Sequence, residues 1–312
     1  MSEKKRINKL PAPTFRWLNM NSAEVNVIDE NHRFPLVYFE GNGHEQEPLR
    51  YAYPFGGDQC IAPVAVTVQE KSEATVLLTC QSDEKKAFVM EAPVELVVKK
   101  GAVARIVYVQ LLPDDMEMRS QIHATLEEDA SFVLTQVILS GGKSYIECIT
   151  ELNGDRSRVQ IETAYSLSGR QELDINYVAD HFGKRTESAI DVYGVLSDTS
   201  QKIFRGTIDF KRGAKGAIGN EQEDVLLLDD AVVNRTIPLI LCAEEDVEGN
   251  HGATIGKLAD DLLFYLSSRG MNTEEIYEMM ARARIDAVAA KIPDEQTRET
   301  IRQFMEDKGN TR

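Results

Sequence analysis

The chain has 312 residues, enough for one large domain plus a small one with a substantial core. Its formal charge of −16 repels phosphate, which argues against nucleic acid and anionic membrane surfaces as partners. The basic N-terminus is not followed by an apolar core, and no run of about 18 apolar residues could span a bilayer, so a cytoplasmic protein is expected.

Residues 1–20 read as an extended arm, because Pro11 and Pro13 fix two backbone angles and deny helix. Phe15, Trp17 and Leu18 then offer apolar bulk to anchor it on the body. Residues 21–80 read as short strands and loops, among them Leu36–Phe39 before the Gly41-Asn42-Gly43 turn and the alternating run Ala62–Val68. From about residue 86 a train of strands follows: Val94–Val98, Ala104–Leu112, Ile122–Leu126, Phe132–Leu139, Tyr145–Leu152, Val159–Tyr165, Leu173–Val178, Ser188–Tyr193, Ile203–Phe210 and Val225–Leu228. Turns separate them without intervening helices, and Asn153-Gly154 is the main hairpin candidate. Such trains build sandwiches, barrels or solenoids, and the residues alone do not separate a sandwich from a β-helix. No clean internal period is visible.

The pattern changes after Asp246. His251 sits in a stretch bounded by Gly249 and Gly252, read as a turn, and Leu258, Leu262, Leu263 and Leu266 then recur at helical spacing. Arg269 and Gly270 supply a cation and a stop for that helix. Asn272 with Glu275 predicts a capping box for a second helix, whose stripe is Ile276, Met279, Met280, Ala283, Ala287 and Val288. Pro293 opens a third, with Ile301, Phe304 and Met305. Three such helices bury little alone, so their apolar faces need the β body or a partner. The expected organisation is an N-terminal arm and short-strand region at 1–84, a β core at 85–250 and a helical domain at 251–312.

The segment His251-Gly252-Ala253-Thr254-Ile255-Gly256, then Leu258, Leu263-Phe264-Tyr265-Leu266 and Ser268-Arg269-Gly270, resembles the C-terminal signature of the SufB/SufD family. Those are the scaffold subunits of the SUF iron–sulfur cluster assembly machine. Leu226–Ala231, Pro238-Leu239 and Glu245-Asp246-Val247 fit the same pattern in order. The chain is more similar to SufD, since SufB carries a glutamate after its histidine where this chain has Gly252. The resemblance implies a mainly β protein: a right-handed parallel β-helix with a small C-terminal helical domain. It implies a non-catalytic scaffold that pairs with a SufB-like subunit or with itself and docks the SufC ATPase through the C-terminal helices. It also implies a transient iron–sulfur cluster at the subunit junction, with none in the isolated chain. A β-helix enzyme acting on polysaccharide is the alternative, and it would need clustered carboxylates on strand faces.

His251 is the first candidate metal ligand, since an imidazole suits iron; a turn histidine bonded to a nearby carbonyl is the other reading. Glu223 aligns with the SufB cysteine thought to hold sulfur or iron. A carboxylate cannot carry a persulfide but could ligate iron through oxygen, and a surface glutamate in an acidic turn is expected. Many SufD proteins have a cysteine where this chain has Gly249. No Cys-x-x-Cys pair occurs; Cys80, Cys148 and Cys242 lie in apolar runs and are expected to be buried, and Cys60 to be more exposed. The acidic run Glu244-Glu245-Asp246-Glu248 could assist iron or be a solvated face. His32 and His44 read as loop residues, His181 as a turn residue, and His123 as a strand residue that does not meet Glu127. The glycine-rich Gly213–Gly219 lacks the ending of a phosphate loop, and no His-Glu-x-x-His or Gly-x-Ser-x-Gly is present.

Overall fold

A computed structural model describes residues 3–14, 18–44, 47–84 and 86–309. Phe15 and Trp17, expected to anchor the arm, lie outside the described residues. The chain runs through β1 (Lys4–Ile7), β2 (Ala23–Asn26), β3 (Val37–Gly41), β4 (Leu49–Ala52), β5 (Gln59–Ile61), β6 (Val64–Val68), β7 (Glu73–Gln81), β8 (Phe88–Val98), β9 (Val103–Leu111) and β10 (Met116–Leu126). It continues with β11 (Ser131–Ile138), β12 (Lys143–Leu152), β13 (Arg158–Leu167), β14 (Glu172–His181), β15 (Glu187–Leu196), β16 (Gln201–Phe210), β17 (Ala217–Leu227), β18 (Val233–Cys242) and β19 (Val247–Gly256). Helices α1 (Asp260–Ser267), α2 (Thr273–Ala289) and α3 (Glu295–Gly309) close it.

From β6 onward successive strands alternate between two parallel sheets. One is nine-stranded, with β18-β16-β14-β12-β10-β8-β6-β3 in order and β5 beside β8; the other is β19-β17-β15-β13-β11-β9-β7-β4. The fold is a parallel β-helix, in which each rung contributes one strand to each sheet. Asn153-Gly154 therefore forms a corner between β12 and β13, and no hairpin, because those strands belong to different sheets.

The corners explain how the chain turns. A left-handed residue follows each of β6, β8, β10, β12, β14 and β16 at an equivalent place, Lys71, Gly101, Asp129, Arg156, Arg185 and Gly216, with Gly213 a second one after β16. Each of the equivalent residues donates its N–H to a carbonyl of the next corner, as Arg156 does to Lys184 at 2.8 Å and Arg185 to Lys215 at 2.9 Å. Non-glycine residues there cost backbone energy, which the repeated bond along the stack offsets.

Alternate side chains of each strand point inward, and neighbouring rungs stack like on like. Val94, Ile122, Cys148 and Tyr177 form one such column across β8, β10, β12 and β14. Both outer faces are partly covered. Val107, Val109, Val137 and Leu139 on one sheet pack under Ile285, Val288 and Ile292 of the tail and Ile301 of α3. This is why β9 and β11 read as nearly continuous apolar runs, as doubly covered parallel strands do. Asn272 accepts from the Glu275 N–H, and the Glu275 carboxylate accepts from the Asn272 N–H, completing the expected capping box. The face that α2 lays on the sheet is only partly the expected stripe: Ile276 and Val288 are buried, but Met279, Ala283 and Ala287 are exposed, and Ile285 and Ala289 are buried in their place. α1 is different: it buries no residue, and Phe264 is 78% exposed.

On the other sheet lies the N-terminal arm. β1 and β2 pair antiparallel, and Leu10 and Met20 pack on Ile237 and Leu239 of β18.

Candidate functional site at the open end

The last rung, β18 and β19, pairs on one side only, with β16 and β17. Its outer edges and its inward face are therefore open at this end of the helix. β19 has no buried residue, and β18 has one, Ile237.

Here His251 lies within β19, not in a turn. Glycines at 249 and 252 do not break the strand because parallel pairing with β17 holds it extended. His251 lies opposite Glu221, and the same column continues inward through Ile190, Ile161 and Leu134. His251 is thus the exposed terminal member of an interior column whose earlier members are buried.

Beneath it the core becomes polar. Glu223 is fully buried, against the expectation of a surface residue, because its place in β17 points inward. It pairs with the Nζ of Lys202, which is also fully buried, and accepts from the Thr236 hydroxyl at 2.6 Å. Lys202 Nζ also donates to Thr236 Oγ1 at 3.1 Å and lies 5.6 Å from the Phe204 ring centroid. Burial pulls the Lys202 amine below its usual pKa, while the Glu223 charge opposes this. Both carboxylate oxygens of Glu223 are therefore engaged, one by Lys202 and the other by Thr236.

Glu221 is the residue that sequence reasoning passed over. Its carboxylate is buried over Gly206, where an added Cβ would come within 2.0 Å of Oε2. Only a residue without a side chain leaves that space. Burial, with the Glu223 charge adding, pushes its carboxyl up to about 8. Oε2 has no hydrogen-bond partner among the described residues. The signal that could have found it is the alternation Gly219, Glu221, Glu223, Val225, which repeats every second residue through an otherwise polar run.

The cysteines divide differently from expectation. Cys60 is buried beside β8, and Cys242 is exposed because the corner after the last strand has no next rung to cover it. Desolvation raises the Cys60 thiol to about 11 and Cys148 to about 12, and holds Cys80 higher still, so these three are protonated, inert core groups. Cys242 donates to the Glu244 carbonyl at 3.0 Å. Cys242 and His251 belong to opposite sheets of the final rung.

His181 is no turn residue. It ends β14 fully buried, with its ring nitrogens 2.7 Å from Thr186 Oγ1 and 2.9 Å from Ser188 Oγ, and burial lowers its pKa to about 4. His123 lies on the outer face between Glu95 and Glu151, at 3.4 and 3.5 Å. The nearby carboxylates Asp180 and Asp209 both pair with Lys211. Among the described residues no three His, Cys, Asp or Glu side chains gather as a metal-holding group.

Comparison with known proteins decides the family. The model of the SUF system FeS cluster assembly SufBD core domain matches residues 56–284. The chain belongs to the SufBD family. It is 28% identical to the iron–sulfur cluster assembly protein SufD of Bacillus subtilis over 171 residues, which cover 55% of this chain and 39% of that one. It is also 28% identical to SufB of the same organism over 208 residues, covering 65% and 44%. A SufBD family protein of Methanothermobacter thermautotrophicus is 26% identical over 261 residues, covering 82% and 63%. The matched stretches span about 39–63% of these relatives' lengths. By its description the matched domain is one of iron–sulfur cluster assembly. Among the described residues no helix is long and apolar enough to cross a membrane.

Proposed function

We propose that this SufBD protein is a non-catalytic scaffold subunit that receives a nascent iron–sulfur cluster as cargo at the open end of its β-helix. The observation that carries this reading is the unpaired final rung, with His251 as the exposed end of an interior column. Two edge strands and an open inward face suit a second β-helix end, either a SufB-like subunit or a second copy of this chain. His251 then supplies one nitrogen ligand at the junction, and the partner supplies the remaining ligands. Glu223 has the weaker claim, since binding metal would strand Lys202 unpaired in the core.

The SufC-like ATPase is assigned to the helical tail, and within it to α1. Phe264 and Tyr265 project from α1, whereas α2 and α3 spend much of their apolar surface on the sheet. Phe264→Ser with Tyr265→Ser should abolish co-purification with that ATPase while circular dichroism stays that of the wild type. Retained binding counts against α1 as the dock.

The scaffold reading is tested by His251→Ala in a complex reconstituted with SufB-like and SufC-like partners. Assembly should be intact and cluster yield should fall sharply, read from iron, sulfide and the visible absorption of the complex. Wild-type yield removes the site.

A further inference from the structure

A β-helix is nearly one-dimensional: each rung touches only its neighbours, so the final rung is held from one side. The N-terminal arm breaks that rule. It lies along the helix axis, across the strands of one sheet, and touches rung after rung. Lys5 pairs with Glu91 of β8 at 2.7 Å, and Arg119 of β10 donates to the Asn26 carbonyl at 2.6 Å. Asn8, fully buried with a left-handed backbone, donates to the Asp174 carbonyl of β14 at 2.9 Å. The Arg205 guanidinium of β16 donates to the Met20 carbonyl at 2.5 Å and holds Asp174 with its other nitrogens. Beyond it, Leu10 and Met20 cover Ile237 of β18.

The two strands of the final rung are therefore treated differently. Ile237 is the one buried residue of β18, and the arm residues lie in its cluster. β19 buries nothing and adds only Val247 to an apolar cluster among the described residues. We propose that the arm is a longitudinal strap that fixes β18 to the body and leaves β19, the strand of His251, as the mobile half of the open end. The consequence is a conformational device: one edge is a rigid template, and the other adjusts its position without disturbing the body.

Hydrogen exchange read by mass spectrometry on the full chain tests this. In the wild type, β18 amides bonded to β16 should exchange at least about 10-fold more slowly than β19 amides bonded to β17. In the strap variant Asn8→Ala with Leu10→Ser, the β1–β2 amides should lose protection, because a two-stranded ribbon does not hold by itself. β18 should then fall to the level of β19, while β8 to β14 stay as in the wild type. Equal exchange of β18 and β19 in the wild type overturns the proposal. So does undiminished β18 protection once the arm is lost, and so does an arm that stays protected in the variant, since the named contacts would not be what holds it. Loss of protection from β8 through β14 as well would overturn it from the other side, by making the arm part of the common core.

Discussion

The middle rungs and the final rung are built from the same strand geometry, yet they differ in almost everything else. In β10 to β15 the inward side chains are apolar or neutral polar groups such as Gln136, Thr163 and Tyr165, and each strand has a neighbour on both sides. At β16 to β19 the interior holds Lys202, Glu221 and Glu223, and the edge is unpaired. The difference teaches that stability and function have been separated along the axis. The middle supplies the free energy, and the end keeps polar groups and an open edge that a stability-optimised core would exclude.

The sharpest way to break this comparison is to strip the polar end of its balance. Lys202→Met leaves Glu223 buried without its cation and should cost about 3–5 kcal/mol, read by denaturant unfolding. Adding Glu223→Leu should recover most of that loss; failure to recover would show that the pair contributes more than mutual neutralisation. A second test sets like against like. Ile190→Ala in the middle of the column should cost about 2–4 kcal/mol, because it opens a cavity in a fully packed rung. Ile255→Ala on β19, where the side chain is 41% exposed, should cost less than about 1 kcal/mol. Equal losses would erase the distinction between middle and end.

A smaller effect comes from Glu221. Its carboxyl stands at about 8 in the folded chain against an ordinary value of 4.5. Between those values the folded state holds a proton that the unfolded state has released. Stability contributed by the neutral form is therefore present at acidic pH, falls as pH rises through that window and levels off above it. Glu221→Gln should flatten this slope and raise stability at pH 8 by about 1–3 kcal/mol. A pH profile identical to the wild type would mean that Glu221 is already ionised in the fold. The smallest effect is expected for His251→Ala, below about 1 kcal/mol in the isolated chain, since the ring is exposed and no column member lies beyond it.

Much of the β body was legible because burial on one face writes alternation into the sequence. Ala62–Val68, Phe132–Leu139 and Ile203–Phe210 were read within a few residues of β6, β11 and β16. The existence of the helices was legible through helical spacing and the Asn272 cap, but the buried face of α2 was not, since Ile285 and Ala289 are buried while Met279, Ala283 and Ala287 are exposed. What could not be read was the repeat and the edge. The left-handed corner position is filled by Lys71, Gly101, Asp129, Arg156, Arg185 and Gly216, so geometry repeats where residue identity does not. Rung length varies too: Gln201 lies beside Glu172 at a step of 29 residues, whereas Val233 lies beside Gln201 at a step of 32. β19 looked like a turn because a strand with no covering layer has no apolar face to display. The same cause left Cys242 exposed, while Glu223 is buried because its place in β17 points inward beneath the final rung. Burial is decided by whether a next rung exists, and no local pattern records that. The resemblance to SufB and SufD pointed to His251, but could not show Glu221 beneath it, since the two are 30 positions apart in sequence and adjacent only through register.

If the open end takes a partner, as proposed, the strand lengths bear on how many subunits can join. A head-to-tail partner would present the opposite end, whose strands β3 and β4 have 5 and 4 residues, to edges 10 residues long, and would leave half of each edge unsatisfied. A partner related by a two-fold axis across the helix presents the same long edges, running antiparallel to the first. That contact would consume both long open edges at once and leave only the short ends at β3 and β4. In the proposed pairing, growth through the long edges, the hazard of every parallel stack, would be ended by symmetry.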